Sequence, residues 1–165
     1  MKTFHLLLHS KSSWDQPGLS DRERGLNKRG RRDAPRMGEA LAQRMAPVSV
    51  AVSPARRAQL TLDGLCDGWS ALGDVQHYTQ EDLYTFASED LVAWIAAQDD
   101  GHEALFMIGH NPALTDLVNT LTGEYALDNL PTAGYVALSL RIDRWSEVGQ
   151  GCGSIEYSLF PKQLA

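Results

Sequence analysis

Two runs of apolar residues constrain the fold of this chain more than any other feature. Residues 4–8, in which only His5 is polar, and residues 104–109 both stop abruptly at polar residues. Runs this short favour strands over helices, and a strand that is apolar throughout is typical of a sheet covered on both faces. A histidine follows each run at once, His9 in the first case and His110 in the second. We therefore expect an α/β fold with two imidazoles at the carboxyl ends of buried strands, where open sheets place reactive groups.

The rest of the sequence alternates between helical and strand-like patterns. Apolar residues spaced by three and four predict helices, of which the first begins after Asn27 and the third at Ser88, two good N-cap residues. Turn-forming residues predict loops over residues 15–25 and 64–74. The predicted helices cover residues 28–45, 55–62, 88–97 and 113–121, and the further predicted strands cover residues 48–53, 75–78, 135–140 and 154–160.

Length and composition restrict the class of protein. A chain of 165 residues, 43% of them hydrophobic, has the size of one domain, expected here over residues 1–165. No run approaches the roughly 20 apolar residues that span a bilayer, and the first residues lack the pattern of a signal peptide. Cys66 and Cys152 lie far apart, without the spacing of metal ligands or of a disulfide framework. These features predict a cytoplasmic protein with no membrane contact.

The distribution of charge narrows the possible partners. A formal net charge of −6 argues against general nucleic-acid binding, yet basic residues concentrate between Arg22 and Arg57. Within that segment, Ser53 and Pro54 end a predicted strand, and Arg56 and Arg57 fall in the first turn of the next helix. A helix N-terminus and a guanidinium both favour anions, so this turn is a candidate phosphate site. Simple exposure of both arginines to water is the alternative.

Six motifs, spread over nearly the whole chain, indicate the function more sharply. They are His9-Ser-Lys-Ser12, Arg24, Leu26-Asn-Lys-Arg-Gly30, Ser53-Pro-Ala-Arg-Arg-Ala58, Gly109-His-Asn-Pro112 and Pro131-Thr132. In this order they resemble the histidine phosphatase superfamily, and within it most closely the SixA-type phosphohistidine phosphatases. The resemblance implies a phosphoglycerate mutase-like fold, which is a three-layer α/β/α sandwich with a mostly parallel sheet.

The resemblance also implies roles for individual residues. His9 is the expected nucleophile, which attacks phosphorus to form a phosphohistidine intermediate that water then hydrolyses. Arg57 and Arg24 are expected to clamp the phosphoryl oxygens, and His110 is expected to stabilise the same oxygens. Because these side chains supply the electrostatics, no metal ion or other cofactor is expected.

Four further residues are candidate phosphate contacts. Ser10 and Lys11 directly follow the expected nucleophile, and Asn111 and Thr132 lie in two of the other motifs. Asn111 and Thr132 would supply neutral donors. For both of them, holding a loop in shape is the alternative.

The chain departs from the family pattern at the residue before the nucleophile. The family normally has arginine there, and this sequence has Leu8. Leucine cannot make the bidentate phosphate contacts of a guanidinium, and the loss of one such donor typically costs on the order of 10²- to 10³-fold in turnover. Partial compensation by Lys11 or Arg56 is one hypothesis. A phosphate-binding module with weak or no catalysis is another.

The substrate class depends on whether a general acid is present, because an alkoxide leaving group needs a proton and imidazole is easier to expel. Glu81 and Asp82 lie where phosphomonoesterases of the superfamily carry this acid, but acidic residues before a helix are commonly first-turn charges. We therefore expect hydrolysis of phosphohistidine on a phosphotransfer protein. A phosphomonoesterase that acts on a small metabolite, or on phosphoserine or phosphothreonine, is the alternative.

Overall fold

The two apolar runs form adjacent parallel strands near the middle of a six-stranded sheet. A computed structural model describes residues 1–164 of the chain. The strands are β1 (Lys2–Leu8), β2 (Val50–Val52), β3 (Tyr78–Thr79), β4 (Ala104–Gly109), β5 (Tyr135–Leu140) and β6 (Gly153–Leu159). They lie in the order β3-β2-β4-β1-β5-β6. β1 to β4 run parallel to one another. β5 runs in the opposite direction and pairs antiparallel with both of its neighbours, β1 and β6.

Helices cover both faces of this sheet. Helices α1 (Lys28–Ala42), α2 (Arg56–Gly68) and α3 (Ser70–Gly73) pack on one face, and α4 (Ser88–Ala96) and α5 (Ala113–Thr122) pack on the other. Single 3₁₀ turns lie at Asp21–Glu23, Glu81–Leu83, Trp145–Glu147 and Pro161–Gln163. The expected α/β/α fold with a mostly parallel sheet is confirmed. None of the helices within residues 1–164 is long and apolar enough to cross a lipid bilayer.

Alternate residues of the central strands enter two separate hydrophobic cores. In β1, Leu6 and Leu8 pack under α4 and α5, whereas Leu7 packs under α1 and α2. In β4, Met107 and Ile108 divide between the two cores in the same way. The prediction of strands covered on both faces is therefore confirmed. A one-residue shift of either strand would exchange the side chains of the two cores, so the packing holds the register.

The segment predicted as a loop over residues 64–74 is mostly helical, and that prediction was wrong. α2 continues to Gly68, and α3 follows after Trp69. The glycines suggested a break in the helix, but they serve packing: a Cβ atom at Gly64 would meet Ala34 of α1, and one at Gly68 would meet the carbonyl of Pro35. Glycine at these positions lets α1 and α2 approach closely.

Two further predictions concern the ends of helices. Asn27 caps α1 as predicted, because its side-chain oxygen accepts a hydrogen bond from the Gly30 amide at 2.8 Å. The N-cap position of α4 is held by Ala87, which has no side-chain acceptor, so the prediction of a Ser88 cap was wrong.

We expect Gly38→Ala to lower the free energy of unfolding by about 1–3 kcal/mol, the usual cost of overpacking a tight contact. A Cβ atom at position 38, inside α1, would fall on the backbone carbonyl of Leu65 in α2. Without that contact the change would stabilise the helix, because alanine has the higher helix propensity. The matched control is Gly73→Ala, where the nearest atom is Cys66 Cβ at 3.7 Å. Urea unfolding followed by circular dichroism measures both variants, and an equal effect would contradict the close packing of α1 on α2.

Candidate active site

His9 and His110 lie side by side because β1 and β4 are parallel and in register. Leu8 at the end of β1 pairs with Gly109 at the end of β4, and the His9 amide donates to the Gly109 carbonyl at 3.2 Å. The next residue of each strand is the histidine, and the two ring centroids are 5.3 Å apart. The backbone pairing therefore brings both imidazoles together at the carboxyl edge of the sheet, where open α/β sheets bind ligands.

The backbone holds His9 in one tautomer. Its Nδ1 lies 2.7 Å from the carbonyl oxygen of Ser10, which can only accept a hydrogen bond, so the neutral ring carries its proton on Nδ1 and its lone pair on Nε2. Burial lowers the pKa of His9 from 6.5 to about 4; the Ser10 hydrogen bond opposes this, and the charges of Arg57 and Arg24 add to it. At neutral pH His9 is thus a neutral imidazole with Nε2 available as a nucleophile.

His110 is held in the same tautomer as His9, but by its other ring nitrogen. Its Nε2 lies 2.7 Å from the hydroxyl oxygen of Ser53, which already accepts a hydrogen bond from the Ala55 amide at 3.2 Å. The Ser53 hydroxyl is buried and has no other acceptor within residues 1–164, so we assign its proton to the bond with Nε2, which places the ring proton of His110 on Nδ1. That Nδ1 is buried and has no hydrogen-bond partner within residues 1–164. Burial lowers the pKa of His110 to about 3, with the charges of His9 and Arg57 adding to the effect, so the ring is a neutral donor.

Arg24 and Arg57 reach the two histidines from different segments, and both are buried. Arg57 lies in the first turn of α2 and is 2% exposed, and Arg24 follows the 3₁₀ turn at Asp21–Glu23 and is 9% exposed. The charges of both arginines lower the pKa of His9 and of His110, because they lie near both rings. The Nε of each arginine is buried and finds no hydrogen-bond partner in the described part of the chain. These unused donors make the cluster suited to an anion.

The carboxylate of Asp21 joins the two arginines. Its Oδ1 accepts a hydrogen bond from Arg24 Nη2 and its Oδ2 accepts one from Arg57 Nη2, each at 3.0 Å, and the Tyr84 hydroxyl donates to Oδ2 at 2.6 Å. Partial burial disfavours the charged form of Asp21, but the hydrogen bonds from Tyr84, Arg24 and Arg57 hold its pKa well below the ordinary value. With both histidines neutral, one net positive charge remains among these groups.

Ser10 lies at the site, but its hydroxyl is occupied elsewhere. Ser10 Oγ donates to the carbonyl of Gly30 in α1 at 2.8 Å, and the Ser10 amide donates to Thr61 Oγ1 in α2 at 2.8 Å. The Thr61 hydroxyl in turn donates to the Arg57 carbonyl at 2.7 Å. Ser10 and Thr61 therefore fasten the loop after β1 to two helices, and Ser10 acts on His9 through its carbonyl.

Asn111 and Thr132 lie in the loops beside the end of β1. Asn111 Nδ2 donates to the Leu130 carbonyl at 2.9 Å, and Asn111 Oδ1 accepts hydrogen bonds from the amide and hydroxyl of Thr115 at 3.1 and 2.9 Å. These bonds correspond to the loop-holding alternative for Asn111. Thr132 precedes Ala133, whose amide donates to the carbonyls of Leu8 and His9 at 3.0 and 3.1 Å. Ala133 has a φ of 59°, which lies in the left-handed region. Such a φ costs alanine about 1–2 kcal/mol, so the turn at residue 133 is held by its surroundings.

The position that is arginine in the family holds an apolar side chain that belongs to the core. Leu8 is 3% exposed and packs in the cluster under α4 and α5. Lys11 is exposed, and Arg56 lines a separate surface cavity with Gly25 and Leu60. Neither Lys11 nor Arg56 is among the charged groups that act on His9. The structure therefore does not bring either residue to the place of the missing guanidinium.

Glu81 and Asp82, the two candidate general acids, are both exposed. Glu81 pairs with Arg22 at 2.6 Å, and the hydrogen bond from Arg22 lowers the pKa of Glu81. Asp21 is the carboxylate that acts on His9 and His110, and it is held ionised. No group of three or more histidine, cysteine, aspartate or glutamate side chains suited to a metal ion occurs within residues 1–164.

Two aromatic side chains pack against His110 and complete the site. The ring centroids of Tyr84 and Phe86 lie 5.4 and 5.7 Å from that of His110, and 5.9 Å from each other, all in edge-to-face arrangements. Tyr84 is fixed by its hydroxyl bond to Asp21, whereas Phe86 is 49% exposed.

The sequence did not single out Asp21, Thr61, Tyr84 or Phe86 as site residues. Asp21 stands in a charged stretch that is typical of a solvated loop. Thr61 follows Arg57 by four residues, a spacing that lets a helical hydroxyl bond to the preceding carbonyl, and this weak signal was available. Tyr84 and Phe86 carry no local pattern that distinguishes them from core residues.

Solved structures share this fold, although no family model and no curated protein matches the chain. A crystal structure from Agrobacterium tumefaciens that carries the name phosphohistidine phosphatase SixA has a TM-score of 0.81 and 26% identity, over 97% of this chain and 98% of that chain. The protein histidine phosphatase SixA complexed with tungstate has a TM-score of 0.78 and 22% identity, over 97% of each chain. A mycobacterial glucosyl-3-phosphoglycerate phosphatase complexed with VO3 has a TM-score of 0.68 and 15% identity, over 95% of this chain and 98% of that chain. The resemblance to the histidine phosphatase superfamily is confirmed.

We expect His9 and His110 to stay neutral well below the ordinary histidine pKa. Long-range ¹H–¹⁵N NMR spectra should give a pKa of about 4 for His9 and about 3 for His110, with the neutral proton on Nδ1 in both rings. The unfolded chain binds these protons at higher pH than the folded chain does, so both groups reduce stability as the pH falls from about 6.5 towards 4. His9→Asn and His110→Asn assign the signals. Titration of either ring near its ordinary pKa would contradict the buried neutral pair.

Proposed function

We propose that this chain, a phosphatase of the histidine phosphatase superfamily, hydrolyses the N–P bond of phosphohistidine on a phosphotransfer protein. The observation that carries the proposal is the state of His9. The Ser10 carbonyl holds its ring proton on Nδ1, so the lone pair on Nε2 is available beside two buried arginines. This is the arrangement that a phosphoryl-accepting nucleophile needs at neutral pH.

In the first step His9 Nε2 attacks phosphorus. A bond forms between Nε2 and phosphorus, and the bond between phosphorus and the substrate ring breaks, with its electron pair going to the ring nitrogen. The substrate ring carries a proton on its other nitrogen, so it leaves as neutral imidazole, and the positive charge passes to phosphorylated His9, which keeps its proton on Nδ1. In this proposal the unpaired donors at Arg24 Nε, Arg57 Nε and His110 Nδ1 hydrogen-bond to the phosphoryl oxygens; their burial without a partner supports this role. Because these donors are fixed before the substrate arrives, they stabilise the transition state without reorganisation.

In the second step water attacks the phosphorus of phosphorylated His9. The bond to Nε2 breaks, inorganic phosphate forms, and His9 returns to its starting state. The net reaction consumes one water molecule for each phosphohistidine. The Ser10 carbonyl keeps the proton on Nδ1 throughout, which directs both bond formation and bond cleavage to Nε2.

Within residues 1–164, the carboxylates considered as general acids are ionised or exposed, which favours a nitrogen leaving group over an alkoxide. Asp21 is held ionised by its three partners, and Glu81 is exposed and paired with Arg22. An alkoxide needs a proton from a general acid to leave at a useful rate, whereas imidazole leaves as a stable neutral base. The likeness to two SixA structures supports the same choice, while the similar glucosyl-3-phosphoglycerate phosphatase represents the ester alternative.

The test compares a phosphorylated histidine phosphotransfer domain with p-nitrophenyl phosphate as substrates. We expect phosphate release from the phosphorylated domain, its loss in His9→Ala, and an acid-labile phosphoryl group on His9 in rapidly quenched reactions. His102→Ala is the matched control, because that side chain is exposed and plays no part in the site. Turnover of p-nitrophenyl phosphate alone would identify a phosphomonoesterase. Binding of the phosphorylated domain without phosphate release by the wild type would identify a binding module.

We expect Leu8→Arg to raise turnover, because it restores a guanidinium at the end of β1. Removal of one transition-state donor costs on the order of 10²- to 10³-fold, which sets the upper limit of the gain. Leu8→Met is the control, since it keeps an apolar side chain in the core cluster without adding a donor. Phosphate release is measured by initial rates, and thermal unfolding checks that Leu8→Arg is folded. A folded Leu8→Arg variant that is no faster than the wild type would mean that Arg24 and Arg57 suffice.

A further inference from the structure

Phe86 is a half-exposed aromatic side chain at the proposed active site. Its ring packs edge-to-face against His110 at 5.7 Å and against Tyr84 at 5.9 Å, and 49% of the residue remains exposed. It lies in the short connection between the 3₁₀ turn at Glu81–Leu83 and α4. Single exposed apolar side chains are common on protein surfaces. Phe86 is a candidate for substrate contact because it packs on the ring of His110, a residue of the proposed active site.

The direction of attack places the leaving group on the side of phosphorus that faces away from His9. In phosphoryl transfer the nucleophile and the leaving group lie on opposite sides of phosphorus. His9 stands at the inner side, at the end of β1, and Arg24, Arg57 and His110 are buried around it. A group that leaves towards solvent passes the exposed side chains that border this cluster, among them Phe86 beside His110.

Tyr84 and Phe86, the side chains that pack on His110, present aromatic rings to a ligand and no available proton donor. The Tyr84 hydroxyl is committed to Asp21 at 2.6 Å, and this hydrogen bond is the main cause that raises the pKa of Tyr84. The Tyr84 ring is also covered, with the Arg22 guanidinium 5.8 Å from its centroid and Phe86 on its edge. Among the described residues, the exposed part of Phe86 meets no such partner, so this ring is open to a ligand. Trp14, which is 74% exposed, is also open, but it packs on Arg24 and not on an imidazole of the site.

We infer that Phe86 contacts the aromatic ring of the leaving group and so selects the imidazole of phosphohistidine over leaving groups without a ring. This inference rests on the proposed function and names the residue that sets its substrate preference. A planar imidazole packs against an aromatic side chain in stacked or edge-to-face geometry, and a protonated imidazole gains a cation–π contact as well. A serine, a sugar or ammonia gains neither.

The test uses two small N–P compounds that differ only in the group that leaves. Phosphoimidazole releases imidazole, phosphoramidate releases ammonia, and both leave the same phosphoryl group on His9. The kcat/KM ratio of phosphoimidazole to phosphoramidate therefore isolates recognition of the ring. Phe86→Leu removes the aromatic surface but keeps an apolar side chain, and Phe86→Tyr keeps the ring. Tyr125→Leu is the matched control, because Tyr125 is also exposed, at 76%, and takes no part in the site.

We expect Phe86→Leu to lower the kcat/KM ratio by about 3- to 10-fold, the range of a lost aromatic contact. Phe86→Tyr and Tyr125→Leu should keep the wild-type ratio. An equal loss on both compounds in Phe86→Leu would mean that Phe86 only supports the packing of His110, and it would overturn the inference while leaving the proposed function intact. Failure of the wild type to hydrolyse either compound or the phosphorylated domain would instead overturn the proposed function.

Discussion

The parallel pairing of β1 with β4 is the constraint on which the rest of this site depends. Leu8 pairs with Gly109, so the next residues of the two strands are neighbouring imidazoles with centroids 5.3 Å apart. Burial on both faces holds this register. A shift by one residue would move Leu7 into the core under α4 and α5 and its two neighbours into the core under α1 and α2. The hydrophobic cores thus set the position of the polar groups, although they do not touch the reacting atoms.

The site keeps two buried cations ready for an anion at a cost in stability. Arg24 and Arg57 are each paired with Asp21, which offsets part of the penalty of burying them, but their Nε groups remain without a partner in residues 1–164. An unsatisfied buried donor typically costs about 1–3 kcal/mol. A bound phosphoryl group would satisfy these donors. The carboxylate of Asp21 also fixes both guanidinium groups in place before any ligand enters.

Most of the fold follows from local patterns, and the largest exception has its cause in tertiary packing. Strand β4 and the Asn27 cap lie where the sequence predicts them, because burial on both faces and capping are local properties. The predicted loop over residues 64–74 is mostly helical. Its glycines at positions 64 and 68 allow close packing against α1 and do not end the helix. A glycine that serves close packing and a glycine that ends a helix look the same in a single sequence.

By itself the sequence determined that two imidazoles follow buried strands and that arginines precede or begin helices near them, since each of these features is written in a short stretch of chain. Only the tertiary structure decided that Asp21 bridges both arginines, that Ser10 acts through its carbonyl, and that aromatic rings border His110. Asp21 and Tyr84 are hydrogen-bonded across 63 positions of the chain. Such contacts depend on where whole elements pack, and no local pattern of residues encodes that.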